Sequence, residues 1–162
     1  MLEIKVVSNE TIEEFLEFLK RIARWLNESE RGMWNIDKLE KDMFLSSNDI
    51  SDCYMGYADD KLVASVILTE DNVFMWPDLK QDETIFIGKL GVAREYSGKG
   101  YAREMIDFAY DEAKKRSKKY LRLDCYADRE YLCKLYEDYG FTLVEKREMM
   151  PGLFAALYEM KL

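Results

Sequence analysis

Histidine is absent from this 162-residue chain. That removes Ser-His-Asp and Cys-His nucleophilic machinery, and with them every histidine-ligated metal site. Proton transfer is left to carboxylates, Tyr, Lys, Cys or water. Cysteine is scarce and odd in number: Cys53, Cys125 and Cys133, with no C-x-x-C spacing. A disulfide framework and a thiolate zinc site are argued against, and no metal is expected. No apolar run reaches the roughly eighteen residues that a transmembrane helix needs, so no membrane partner is expected. The N-terminal MLEIKVV turns polar and acidic within a few residues, unlike a signal peptide. The expectation is a cytoplasmic protein of one domain, residues 1–162, long enough to bury a core.

Charge is plentiful and unevenly spread. The formal net charge of −8 argues against a general nucleic-acid binder. Residues 48–83 carry nine carboxylates and two lysines, a local charge of −7. Residues 94–122 carry nine cations and five carboxylates, a local charge of +4. The first segment suits a cationic partner and the second an anionic one. Solvated faces of opposite sign are the plainer alternative.

Periodicity divides the chain into short elements. IKVV (4–7) reads as a strand, and Thr11 with Glu14 as a capping box. Ile12, Phe15, Leu16, Leu19, Ile22, Ala23 and Leu26 share one helical stripe. A shorter helix is expected over 36–46. CYMGYA (53–58) and KLVASVIL (61–68) flank Asp59-Asp60 as a hairpin. Residues 69–83 form a long acidic connection with Trp76-Pro77, of a length often tied to function. Strand 84–92, helix 100–117 and strand 120–126 make a strand–helix–strand unit. A helix over 129–139 and closing strands 141–147 and 154–162 follow. The order is that of a mixed α/β fold.

The eight glycines are few, yet Gly91, Gly98 and Gly100 fall within ten positions, at the mouth of the 100–117 helix. A helix N-terminus offers N–H groups without partners at the positive end of its dipole. An anion satisfies both if nothing blocks its approach. Gly98 and Gly100 leave room, while Arg94, Lys99 and Arg103 add positive charge. A phosphate or pyrophosphate site is expected; an ordinary glycine turn is the alternative. The P-loop pattern G-x-x-x-x-G-K-[ST] is missing. The dinucleotide pattern G-x-G-x-x-G fails at its third glycine, where Arg103 stands, although Asp124 ends the next strand where a ribose-binding acid belongs.

The stretch GVAREYSGKGYAREMIDFAYDEAK resembles the acetyl-CoA loop of the GNAT N-acetyltransferases. LRLDCYADREYLCKLYEDYGF is similar to the family's second signature, in which an Asn precedes a Leu-Tyr-Glu-x-x-Gly-Phe pattern. ARWLNESERGMW (23–34) resembles the first-helix region of small bacterial members. Arg129 stands at the Asn site, or Asp128 if the register slips by one. The resemblance implies a GNAT fold: a central, mostly antiparallel sheet, about four helices, and parallel strands 84–92 and 120–126 splayed apart.

The resemblance also implies an acetyl-CoA-dependent N-acetyltransferase acting by direct attack of a primary amine. The cosubstrate arm would bond to the backbone of Leu90 and Val92, beside Gly91. Its pyrophosphate would sit on Ser97, Gly98, Lys99, Gly100, Tyr101 and Ala102, and Arg129 stands where the family's Asn helps hold the arm. A backbone N–H near Leu90–Gly91 would polarise the thioester carbonyl. Tyr136 matches the tyrosine that protonates the leaving thiolate; a core tyrosine is the alternative, since it lies on an apolar stripe. A carboxylate is needed to deprotonate the amine, with Glu83 first and Asp82 and Asp124 next. Cys125 reads as a small buried residue. Tyr54, Tyr57, Phe74 and Trp76, set among carboxylates, would suit a small cationic amine or a peptide. A homodimer through the closing strands is also implied. A CoA-binding module without catalysis, and a domain binding NAD or S-adenosylmethionine, are the competing expectations.

Overall fold

The computed structural model describes residues 1–28 and 34–162. Residues 29–33, which carry part of the 23–34 resemblance, lie outside the described residues. The strands are β1 (Glu3–Val6), β2 (Cys53–Ala58), β3 (Lys61–Thr69), β4 (Thr84–Val92), β5 (Tyr120–Tyr126), β6 (Thr142–Met150) and β7 (Leu153–Lys161). The helices are α1 (Ile12–Glu28), α2 (Lys41–Ser47), α3 (Tyr101–Lys115) and α4 (Glu130–Tyr139). The strands form one sheet in the order β1-β2-β3-β4-β5-β7-β6. β4 and β5 pair in parallel, and the pairs β1–β2, β2–β3, β5–β7 and β6–β7 are antiparallel. This is the expected mixed α/β architecture. No further parallel strand–helix–strand unit follows β5, so a dinucleotide-binding half is not built.

The chain divides into two compact units. One comprises Met1–Leu68 and Lys89–Ile106, the other Thr69–Gly88 and Asp107–Leu162. The core of the first is the apolar stripe of α1 set against Val7, β2 and β3: Phe15, Leu19 and Ala23 are fully buried with Cys53 and Met55. Burying such side chains contributes about 1.5–3 kcal/mol each. Beside it, Phe18, Ile22 and Leu26 enclose Ala93. The second unit buries Met75, Trp76, Phe86, Ala155 and Leu157 together.

Two local expectations need correction. The 36–46 helix is broken into a 3-10 turn, Ile36–Leu39, and α2, with Glu40 extended between them. Leu39 and Phe44 are both buried against α1. Five residues apart, they would point about 140° away from each other on one continuous helix, and the break turns both inward. The capping box also closes three residues earlier than expected. Ser8 N–H donates to Thr11 Oγ1 (2.9 Å), and Glu10 N–H donates to Ser8 Oγ (3.2 Å). Glu14 instead accepts a hydrogen bond from the Tyr57 hydroxyl.

The acidic connection 69–83 is ordered from within. Asn72 N–H donates to Gln81 Oε1, and Gln81 Nε2 donates to the Trp76 carbonyl, both at 2.7 Å. Its charges are partly met inside the unit. Glu70 lies 2.7 Å from Lys118 and 3.2 Å from Arg116, and Glu83 lies 3.4 Å from Lys119. The opposite charge of the two segments is thus used in part for internal ion pairs, each worth little alone. Among the described residues, no helix is long and apolar enough to cross a membrane.

Candidate active site

The site begins halfway along β4. The parallel ladder with β5 runs from Thr84↔Tyr120 to Ile87↔Leu123. Thr84 through Ile87 are buried, Gly88 is exposed, and Lys89 and Leu90 are half-buried. Lys89 takes φ +47°, a left-handed conformation that a non-glycine residue adopts only when its surroundings hold it. Ser65, fully buried on β3, donates from its hydroxyl to the Lys89 carbonyl at 2.8 Å. The kink therefore has a dedicated partner, and it leaves the backbone beyond it in a partly open setting.

Gly91 is buried for a reason of packing. A Cβ there would lie 2.8 Å from Ile22 Cδ1 and 2.9 Å from a Trp34 ring carbon. The absence of a side chain lets α1 sit directly on β4. Gly98 and Gly100 differ from it. Their φ values are +79° and +82°, and a Cβ at either would meet nothing within 4 Å. They are glycines because the backbone turns left-handed, and the space around them is open.

The loop between β4 and α3 is built from its own backbone. Tyr96 N–H donates to the Ala93 carbonyl (2.8 Å) and Ser97 N–H to that of Arg94 (3.1 Å), closing a 3-10 turn. Ser97, Gly98, Lys99 and Gly100 are all exposed, and Tyr101 and Ala102 are half-buried. Glu104 N–H donates to the Gly100 carbonyl (3.1 Å) as α3 begins. The N–H groups of the first turn have no partner within the helix. Two left-handed glycines, an open approach, a helix N-terminus and the Lys99 ammonium together form a cradle for a phosphate. The residues present therefore fit a phosphate-bearing cosubstrate.

In the other unit, α4 carries Arg129 and Tyr136. Arg129 is the N-cap residue, and its side chain gives no cap hydrogen bond. It lies 3.6 Å from Asp128 and over the Tyr126 ring at 5.8 Å. Its Nε is buried without a hydrogen-bond partner. Tyr136 is 5% exposed, with ring contacts at 6.0 Å to Phe141 and to Tyr158. Burial, followed by the neighbouring Cys125, pushes its phenol well above the usual tyrosine value. It keeps its proton across the neutral range. Tyr158, itself buried, donates to Glu137 at 2.6 Å and so fixes one wall of the Tyr136 ring.

The remaining expected residues fall elsewhere. Glu83 stands at the N-terminal end of β4, seven residues before Leu90, between Lys119 (3.4 Å) and Lys80 (4.0 Å). Cys125 is buried, its thiol pushed far up by desolvation, and its sulfur lies 3.9 Å from that of Cys133. It is the small buried residue expected. Tyr54 and Trp76, expected to line an amine pocket, are 9% and 5% exposed and belong to cores, while Phe74 is 80% exposed. Sequence reasoning missed Ser65, Lys89 and Tyr158. Ser65 had a signal, as the lone serine in the apolar run LVASVIL. Lys89 had none, because its conformation is imposed from outside. Among the described residues, no group of acids and cysteines could hold a metal ion.

The comparisons with known proteins agree with this geometry. A family model described as the acetyltransferase (GNAT) family matches residues 19–141. An uncharacterized N-acetyltransferase of Bacillus subtilis (strain 168), YesJ, is 26% identical over 148 residues, covering 83% of this chain and 78% of that protein. A GNAT-family acetyltransferase structure from Listeria monocytogenes 4b F2365 superimposes with TM-score 0.79 at 22% identity, over 99% of this chain and 95% of that one. yncA of Salmonella typhimurium, a structure with its cofactor acetyl-CoA, gives TM-score 0.74 at 13% identity, over 99% and 94%.

Proposed function

Because the chain belongs to the GNAT acetyltransferase family, we propose that it is an acetyl-CoA-dependent N-acetyltransferase, one domain over 1–162, acting on a primary amine. The observation that carries this reading is the exposed pair Gly98 and Gly100, both left-handed, at the mouth of α3. In this reading the N–H groups of Ser97 to Ala102 hold the pyrophosphate, with Lys99 adding charge. The backbone of Leu90, Gly91 and Val92 holds the arm and polarises the thioester carbonyl. Acetyl-CoA supplies an activated acyl group. The amine forms the new C–N bond as the C–S bond breaks; the Tyr136 hydroxyl gives its proton to the departing sulfur, and the proton that the acylated nitrogen sheds restores the phenol through solvent. The raised pKa of Tyr136 supports that role, since a donor must hold its proton until it is needed.

The amine must arrive neutral, or lose its proton on the enzyme. Glu83 is the base in this reading, with Asp82 and Asp124 as the other carboxylates. Its ion pairs with Lys119 and Lys80 must open first. Glu83→Gln is expected to lower kcat/KM by about 100-fold with acetyl-CoA affinity kept. Unchanged turnover would return Glu83 to its ion pairs and pass the role to Asp124. The acceptor is a small cationic molecule or a peptide. A homodimer through the closing strands fits the exposure of Leu143, Val144 and Met150 on β6, the edge strand, and light scattering tests it.

One observation favours a second reading, a CoA-binding module without catalysis: Arg129 at the Asn site, with its Nε unpartnered. Thermal shifts with acetyl-CoA, CoA, NAD and S-adenosylmethionine come first, since a ligand that binds only the folded state raises Tm. Stabilisation by the two CoA species alone, followed by thiol release with an amine, supports the enzyme. Stabilisation without turnover on any amine supports the module. A shift only with NAD or S-adenosylmethionine rejects both.

A further inference from the structure

Arginine is treated in two ways in this molecule. Arg116, Arg122, Arg129 and Arg147, all in the second unit, each hold a carboxylate within 3.6 Å. Arg21, Arg24 and Arg94, in the first unit, pair with none among the described residues. Carboxylates are not in short supply, with 32 against 24 Lys and Arg. The three arginines line one cleft of about 320 Å³ between α1 and the turn after β4. A wider cleft of about 520 Å³ shares Arg21, Arg24 and Glu95 with it and adds Lys61. Glu14 and Glu17 also line the wider cleft, but they are committed to Tyr57 and Lys20. Among the described residues that line the two clefts, Glu95 is the carboxylate left to oppose four cations.

The cleft is also stiff. Phe18, Ile22 and Ala93 beneath it are buried in one cluster. Arg21 rests over the Phe18 ring at 5.5 Å, and Arg94 over the Trp25 ring at 5.7 Å. Stacking on a ring limits the freedom a guanidinium would lose on binding. Planar guanidinium forks match the oxygens of phosphate and carboxylate groups. The concavity has the volume of a small-molecule site.

We propose that this cleft binds a small polyanion, a ligand bearing a phosphate ester or at least two carboxylates, held by Arg21, Arg24 and Arg94. The site goes beyond the acetyl transfer proposed above and does not rest on it. The cosubstrate is assigned to the backbone of residues 90–92 and 97–102, none of which lines the cleft.

The test is calorimetric titration of the full chain, saturated with CoA, using inorganic pyrophosphate and citrate as probes. CoA fills the glycine loop, so the remaining heat reports another site. Binding of at least one probe is expected, weakened roughly tenfold or more in Arg24→Ala and further in Arg24→Glu, with CoA affinity held within about twofold. Arg24 is exposed and supports no packing, so both variants should keep the native Tm. Arg21→Lys keeps the charge and loses the fork, and should give a smaller loss. Tighter binding of pyrophosphate assigns a phosphate ligand, and tighter binding of citrate a carboxylate one. Failure of both probes to bind, or binding that survives Arg24→Glu, overturns the proposal. So does a fall in CoA affinity in Arg24→Glu, which would make the cleft part of the cosubstrate site. If CoA itself fails to bind, the acetyl-transfer reading fails separately, and titration without CoA still reads the dependence on Arg24.

Discussion

Residues 97–100 and residue 136 meet charge from opposite settings. The loop is exposed, its side chains are small or point to open space, and its backbone conformation is fixed by two left-handed glycines. Tyr136 is enclosed by two rings, and its phenol is held protonated by desolvation. In the proposed reading, holding a phosphate takes N–H groups that a ligand can reach, which suits the bare backbone of the first unit. In that reading, giving up a proton on demand takes a group that does not lose it to water beforehand, which suits the buried side chain of the second. The same contrast appears in the arginines: four in the second unit are ion-paired, and the three on the cleft of the first have no carboxylate partner among the described residues.

The largest effect that would break this contrast is at the loop. Gly100→Asp sets a carboxylate against the phosphates and forces a side chain into a φ of +82°. CoA affinity should fall by roughly 100-fold or more with the fold retained, read by calorimetry. Wild-type affinity would remove the loop from the cosubstrate site. Next is Tyr136→Phe, which keeps both ring contacts and deletes the donor. Turnover should fall by about 100-fold with CoA affinity unchanged. Wild-type turnover would make Tyr136 a core ring only.

A smaller effect separates the two kinds of glycine within the first unit. Gly91→Ala places a Cβ under 3 Å from Ile22 and Trp34, and should cost about 1–3 kcal/mol in urea unfolding. Gly91→Ala combined with Ile22→Ala should show positive coupling, because the second change vacates the contact. Additive losses would mean the strain lies elsewhere. A further effect is confined to high pH. Burial, with the nearby Asp52 and Asp49, pushes the Cys53 thiol up from 9.0 to about 12. A raised folded-state value gives stability that is full below pH 9 and is lost as pH rises toward about 12. The urea midpoint should hold at neutral pH and decline above pH 9, less steeply in Cys53→Ala.

Much of this architecture was legible from periodicity. β4 and β5 fall on the residues expected, and α4 and β3 differ by one, because apolar alternation and helical stripes are local patterns. The glycine turn that opens α3 was legible for the same reason: glycine spacing and helix onset are both sequential. What was not legible depended on neighbours distant in sequence. The break at Glu40 comes from the need of Leu39 and Phe44 to face α1 together. The displaced cap comes from Tyr57 claiming Glu14, forty-three residues away. The acidic segment looked like a surface for a cationic partner, but Arg116, Lys118 and Lys119 meet part of its charge.

The sequence by itself determined the element order, the absence of histidine chemistry, and the glycine pair that opens α3, since each is a property of residues near one another along the chain. Only the tertiary structure decided that Gly91 is bare to admit Ile22 and Trp34, while Gly98 and Gly100 are bare to turn left-handed. It alone decided that Lys89 is kinked with Ser65 bonded to its carbonyl, and that three arginines without a carboxylate partner among the described residues line one cleft. The physical reason is common to all three. A side chain's space, its hydrogen-bond partner and its counter-charge are set by whatever the fold brings beside it.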